Sequence, residues 1–150
     1  MVFGNILETI GNTPIVRVNK LNPNPNVELL AKLEGFNPTG SIKDRIALKM
    51  VEQAEADGSL GKGVSIIEAT SGNTGIGLAM IGTIKGYEVI IVMSEAVSVE
   101  RRRMIEAFGG KVILTPKDEG TDGAIRLVRK MVAETPSKFF NPNQFSNIYN

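Results

Sequence analysis

The chain has 150 residues, 42% of them hydrophobic and 22% charged, with 17 basic and 16 acidic side chains and a net charge of +1. Such a balance describes one globular domain with a sizeable core, and it gives no support to nucleic-acid binding, which needs a basic surplus. Cysteine and histidine are both absent, which excludes disulfides, thiolate nucleophiles, imidazole bases and metal sites built from either. Lys, Asp, Glu and Tyr are left to move protons. No charged-then-apolar leader opens the chain and no apolar run approaches the ~20 residues of a span, so no membrane is expected and the cytoplasm is the expected location.

The opening is turn-rich (E-T-I-G-N-T-P) and leads into the β-prone run Ile15 to Val18. Asn22 to Asn26 (N-P-N-P-N) reads as a loop, and Val27 to Leu33 as a strand whose composition would also allow a helical turn. Asn37 to Arg45 reads N-P-T-G-S-I-K-D-R. Pro38, Thr39 and Gly40 make a turn, because Pro fixes φ and Gly adopts angles that other residues avoid. Ser41 is placed to cap a helix, with Asp44 three positions on as a variant capping box. Ile42, Ile46, Ala47, Met50, Val51 and Ala54 recur at helical spacing behind it, so a helix runs to about Ala56 and ends at Asp57-Gly58. Lys43 falls in its first turn, where the positive end of the macrodipole disfavours a cation by about 0.3–1 kcal/mol. A lysine so placed has a reason to lose its proton and act as a nucleophile, although a solvated surface lysine is the plainer alternative.

Val64 to Ala69, Tyr87 to Met93 and Lys111 to Thr115 read as strands. Between and after them come helices through Leu78 to about Gly86, over Val99 to Phe108 behind a Ser98 cap, and over Thr121 to Glu134. The nearly continuous apolar run at 87–93 suits a strand covered on both faces. A helix followed by three strand–helix units argues for an α/β fold: an open parallel sheet with helices on both faces, binding its ligand at the carboxyl ends of the strands. The run Arg101-Arg102-Arg103 lies within a helix and reads as a solvated face.

Thr70 to Gly77 (T-S-G-N-T-G-I-G) connects a strand to a helix. Unpaired N–H groups at a helix start bind anions, and Thr70, Ser71 and Thr74 add hydroxyls, so the loop suits a small carboxylate. Asn73 can donate to a phenolate-like oxygen. The order G-x-x-G-x-G differs from the G-x-G-x-x-G of dinucleotide folds, although Glu95 could imitate their ribose-binding acid. A connection that merely allows tight strand–helix packing is the bland alternative.

N-P-T-G-S-I-K-D-R, followed by T-S-G-N-T-G with Asn73 thirty residues after Lys43, resembles the fold-type-II pyridoxal-phosphate enzymes, and within them the cysteine synthase/cystathionine β-synthase family. Ile10 to Arg17 (I-G-N-T-P-I-V-R) and Gln144 to Asn147 (Q-F-S-N) match in order as well, so the resemblance covers essentially the whole chain. It implies a tryptophan synthase β-like N-terminal domain that uses pyridoxal 5'-phosphate. Lys43 would be the Schiff-base lysine and proton shuttle, and Asn73 would hydrogen-bond the ring's 3-oxygen. Thr70, Ser71, Gly72 and Thr74 would hold the substrate carboxylate, with Gln144 assisting.

The reaction so implied is β-replacement, O-acetyl-L-serine and sulfide giving L-cysteine and acetate. Cystathionine β-synthase or a synthase using O-phosphoserine are the alternatives, and a non-catalytic fragment or a dinucleotide-binding domain are those of another kind. The resemblance further implies a homodimer, and in some members the C-terminal tail of serine acetyltransferase as a partner. It divides the chain into residues 1–36, whose strands would pair with a second domain, an α/β domain at 37–145, and the start of a crossover at 146–150. Family members carry their phosphate cup, and the hydroxyl that faces the pyridine nitrogen, in that second domain.

Overall fold

The computed structural model describes residues 2–150; Met1, the first residue of the expected 1–36 segment, lies outside the described residues. After a 3-10 turn at Ile6–Thr9 come two short strands, β1 (Ile15–Arg17) and β2 (Leu30–Lys32), paired antiparallel with Val16 opposite Ala31. Helix α1 (Lys43–Ala56) follows, then β3 (Ser65–Ala69), α2 (Asn73–Lys85), β4 (Val89–Ser94), α3 (Val99–Ala107), β5 (Lys111–Thr115), α4 (Gly120–Glu134) and β6 (Phe139–Phe140). The main sheet has the order β5-β4-β3-β6, and all its pairings are parallel. The alternation of strands and helices therefore gives the parallel α/β sheet it argues for.

Side chains on successive strand residues point to opposite faces, and two cores form accordingly. Ile66, Val89, Ile91 and Met93 join Ala47 and Val51 of α1, Ile76 to Ile81 of α2 and Ile105 of α3. Ile67, Ala69, Ile90 and Val92 join Ala124 and Val128 of α4 on the other face. All six residues of β4 are buried, as its unbroken apolar sequence requires. Helix α2 is buried from Thr74 to Gly82 and ends at Gly86, whose φ of 83° is the left-handed cap that glycine adopts freely.

The β1–β2 pair stands apart from this core. Ile15, Val16, Val27, Leu29 and Leu30 are exposed by 41–59%, while Val18 and Leu33 are half-buried. The strand expected over Val27 to Leu33 is confined to three residues, and Asn22 Nδ2 donates to the Val27 carbonyl in the loop before it. No helix among the described residues is long and apolar enough to cross a membrane.

Candidate active site

The turn that presents Lys43 is built by its neighbours in sequence. The Gly40 N–H donates to the Asn37 carbonyl at 2.8 Å, closing the turn over Pro38 and Thr39. Ser41 Oγ accepts the Lys43 N–H at 3.1 Å, and the helix starts there. The capping box expected from Ser41 and Asp44 is displaced. Asp44 is fully buried and reaches back to Thr39, accepting its N–H at 2.8 Å and its hydroxyl as well. Because the Pro38–Gly40 turn folds Thr39 over the helix start, its donors come within reach ahead of the Ser41 N–H.

A second set of bonds anchors this turn to the start of the chain. Arg45 grips Glu34 with two bonds, Nε to Oε2 at 2.7 Å and Nη2 to Oε1 at 3.0 Å, the bidentate geometry a guanidinium favours. The same Nη2 donates to the Gly11 carbonyl at 2.9 Å and to Thr13 Oγ1 at 3.2 Å. Asn37, 3% exposed, accepts the Gly11 N–H at 2.9 Å and donates to Glu34 at 2.9 Å. The Arg45 bond is the main cause that lowers the Glu34 carboxyl to about 2. So the I-G-N-T-P stretch belongs to the same construction as the lysine turn. Glu34, Asn37 and Thr13 are residues that sequence reasoning missed, because their contacts join segments up to 32 positions apart and leave no local pattern.

The Thr70–Gly77 stretch divides its glycines between two tasks. A Cβ on Gly75 would lie 2.9 Å from Thr70 Cγ2 and 3.2 Å from Ile91 Cγ2, and one on Gly77 would lie 3.3 Å from both Ala47 Cβ and Asp44 Oδ1. These two glycines let α2 seat on the sheet and on α1, which is the packing alternative. A Cβ on Gly72 would meet nothing within 4 Å. Gly72 is the N-cap of α2 and no side chain caps that helix. Among the described residues, no hydrogen bond uses the N–H of Ser71, Asn73 or Thr74. The loop therefore presents free donors and an open side at a helix start, which is what an anion needs. The helix begins at Asn73, several residues earlier than its apolar pattern announces, because packing of Gly75 and Gly77 carries it.

Gln144 arrives from the far end of the chain. Thr74 Oγ1 donates to Gln144 Oε1 at 2.8 Å, and both residues are buried. Lys43 comes to the same region through its own turn, because the next residue, Asp44, packs on Gly77. Lys43 is half-buried and Asn73 exposed, and among the described residues neither side chain is engaged in a hydrogen bond or ion pair. Thr70, Ser71 and Gly72 on the loop thus run directly into Asn73 and Thr74 of the first turn of α2, with Gln144 touching Thr74 and Lys43 on the neighbouring helix.

The arginine run is only partly a solvated face. Arg101 Nη1 donates to the Ser71 carbonyl at 2.8 Å, and Arg102 donates to the carbonyls of Glu95 and Val97. Arg103 is exposed.

The profile of the family described as "Pyridoxal-phosphate dependent enzyme" matches residues 6–150. A cysteine synthase of Flavobacterium sp. is 54% identical over 147 residues, which are 98% of this chain and 47% of that one. The crystal structure of a cysteine synthase from Entamoeba histolytica superposes with a TM-score of 0.94 at 46% identity, covering 99% of this chain and 45% of that one. An O-ureido-L-serine synthase superposes with a TM-score of 0.89 at 45% identity, covering 99% of this chain and 46% of the other. The chain spans about half the length of these relatives.

Proposed function

Because the chain belongs to the pyridoxal-phosphate dependent enzyme family, we propose that it forms the lysine-bearing domain of a cysteine synthase, which makes L-cysteine and acetate from O-acetyl-L-serine and sulfide. The observation that carries the reading is the uncapped start of α2, with free N–H groups and an open Gly72, beside the turn that holds Lys43.

The residues present fit the coenzyme's aldehyde and ring. Among the described residues Lys43 Nζ and the Asn73 amide are both uncommitted, the first able to hold the coenzyme covalently and the second to donate to its ring oxygen. Pyridoxal phosphate supplies an electron sink for negative charge at the substrate's α-carbon. The protein's part is to bind, orient and move a proton. The N–H groups of Ser71, Asn73 and Thr74, with the hydroxyls of Thr70 and Ser71, bind the substrate carboxylate. Thr74 is held by Gln144 and keeps the helix start in place around that carboxylate. Fixed there, the substrate turns its α-carbon to a single side, and Lys43 Nζ, once free, takes the proton from it.

Groups for the coenzyme phosphate and pyridine nitrogen belong, in this proposal, to a second α/β domain outside residues 1–150, as do the strands that cover β1 and β2. The length of the relatives supports that division. The proposal includes a homodimer, a serine acetyltransferase tail as a partner, and a cytoplasmic enzyme. The resemblance to an O-ureido-L-serine synthase favours a second reading, in which a nucleophile other than sulfide is joined to the serine β-carbon.

The test is to supply the enzyme, as its gene encodes it, with O-acetyl-L-serine or O-phospho-L-serine and in turn with sulfide or hydroxyurea. Cysteine formed fastest from the acetyl ester supports the assignment. Cysteine formed mainly from the phosphate ester moves the substrate, and O-ureido-L-serine from hydroxyurea, or cystathionine from serine and homocysteine, as the main product moves the reaction.

A further inference from the structure

Glu68 is the penultimate residue of β3 and lies 3% exposed among apolar strand neighbours. It has no cationic partner in an ion pair among the described residues. Burying a carboxylate without one is costly, and the sequence around it offers no reason for an acid at this place. What it contacts is the turn 141–144. Glu68 Oε2 accepts the main-chain N–H of Gln144 at 3.3 Å and Asn141 Nδ2 at 3.4 Å, and the same Nδ2 donates to the Ile67 carbonyl at 2.7 Å. Asn143, between them, has a φ of 49°, the left-handed conformation that asparagine adopts more readily than most residues with a side chain. Gln144 is thus fixed at its backbone by Glu68 and at its side chain by Thr74.

We propose that Glu68 is a positioning residue for substrate binding: it fastens the 141–144 turn to the end of β3, so that Gln144 holds Thr74 and, through it, the carboxylate-binding loop. The inference rests on the functional reading above, since it takes Thr70 to Thr74 as the carboxylate site. Arg129 of α4, with Asn141 and Asn143, lines the same small cavity of about 80 Å³ as Glu68, and Ile91 stands opposite on β4. Burial raises the Glu68 carboxyl to about 7, so the fastening group changes charge near neutral pH.

The variants are Glu68→Gln, which keeps the shape with one acceptor fewer, and Glu68→Asp, which keeps the charge and withdraws it. Both are made in the whole enzyme. Amide hydrogen exchange across residues 141–144 is read first, because it depends on no reaction. It should quicken about tenfold in either variant, a change of the size that losing a bond to a charged group produces. KM for O-acetyl-L-serine should then rise about fivefold with kcat within about twofold, the pattern of a binding loss. Combining Glu68→Gln with Gln144→Ala should raise KM no further than Gln144→Ala alone, since the effect passes through Gln144.

Unchanged exchange would overturn the fastening. Quickened exchange with unchanged KM, or fully additive effects in the double variant, would reduce Glu68 to a structural role. Should the wild type use no serine ester, the functional reading alone falls, and the dissociation constant for L-serine carries the same comparison of variants.

Discussion

The hydroxyl of Thr74 donates to Gln144 Oε1 at 2.8 Å, joining two buried residues that are 70 positions apart in the chain. That bond links the first turn of α2 to the segment behind β6. Replacing Thr74 by Ala leaves a buried amide oxygen without its donor, which costs about 1–3 kcal/mol. The variant should melt several degrees lower in calorimetry, and it should raise KM about tenfold with a smaller change in kcat. Equal losses in kcat and kcat/KM would mean that the bond acts on chemistry rather than on binding.

Gly72 and Gly75 are expected to respond in opposite ways. Gly75→Ala brings a Cβ within 2.9 Å of Thr70 Cγ2, and such overpacking destabilises by about 1–3 kcal/mol. Gly72→Ala meets no atom within 4 Å and its φ of −121° suits any residue, so its melting temperature should hold. Its added methyl would occupy the open side of the loop and weaken substrate binding instead. Calorimetry and a KM measurement on the two proteins separate the cases.

Acid and base should act on stability through different carboxyl groups. Glu34 is lowered to about 2 in the folded chain, so its contribution is fully present above its ordinary value of 4.5 and is lost as pH falls through 2. Glu68 is raised from 4.5 to about 7 by burial, so between these values the folded state holds more protons than the unfolded one, and stability declines as pH rises. Glu68→Gln removes that titration. Denaturant melts at pH 5 and pH 8 should show the wild type losing stability relative to the Gln variant at the higher pH. A constant difference between the two proteins would contradict the assignment.

Residues 1–150 on their own should associate. Ile15, Val16, Val27, Leu29 and Leu30 are 41–59% exposed on and beside a two-stranded sheet with open edges. Full burial of one such side chain is worth about 1.5–3 kcal/mol, and domains are stable by only about 5–15 kcal/mol. Unpaired strands also invite edge pairing. Light scattering should find oligomers, with weak uptake of pyridoxal phosphate and no cysteine formed. A monodisperse, cooperatively melting monomer with turnover would show that the hairpin needs no cover.

Most of the architecture could be read from periodicity. The strands at 64–69, 87–93 and 111–115 and the helix behind Lys43 stand within a residue or two of where their apolar patterns place them. The start of α2 was less visible, because Asn73, Thr74, Gly75 and Gly77 have poor helix propensity and packing overrides it. Strand β6 was not anticipated: two phenylalanines carry no alternation, and their pairing with Ser65 and Ile66 is a long-range event. Within the site, the residue types of the Thr70–Thr74 loop were legible. The grip of Arg45 on Glu34, and of Glu68 on the 141–144 turn, was not, since both depend on distant segments meeting.

Lys43 is the residue on which the account depends. Half-buried and without an ion pair among the described residues, it should be replaceable by Ala with a stability change of about 0.5 kcal/mol or less, while turnover is abolished. The most direct measurement is to load the enzyme, as its gene encodes it, with pyridoxal phosphate, reduce it with borohydride and map the modified peptide by mass spectrometry. A pyridoxyl group on Lys43 is the predicted result. One on Lys32, Lys49 or Lys62, or none at all, would contradict the account.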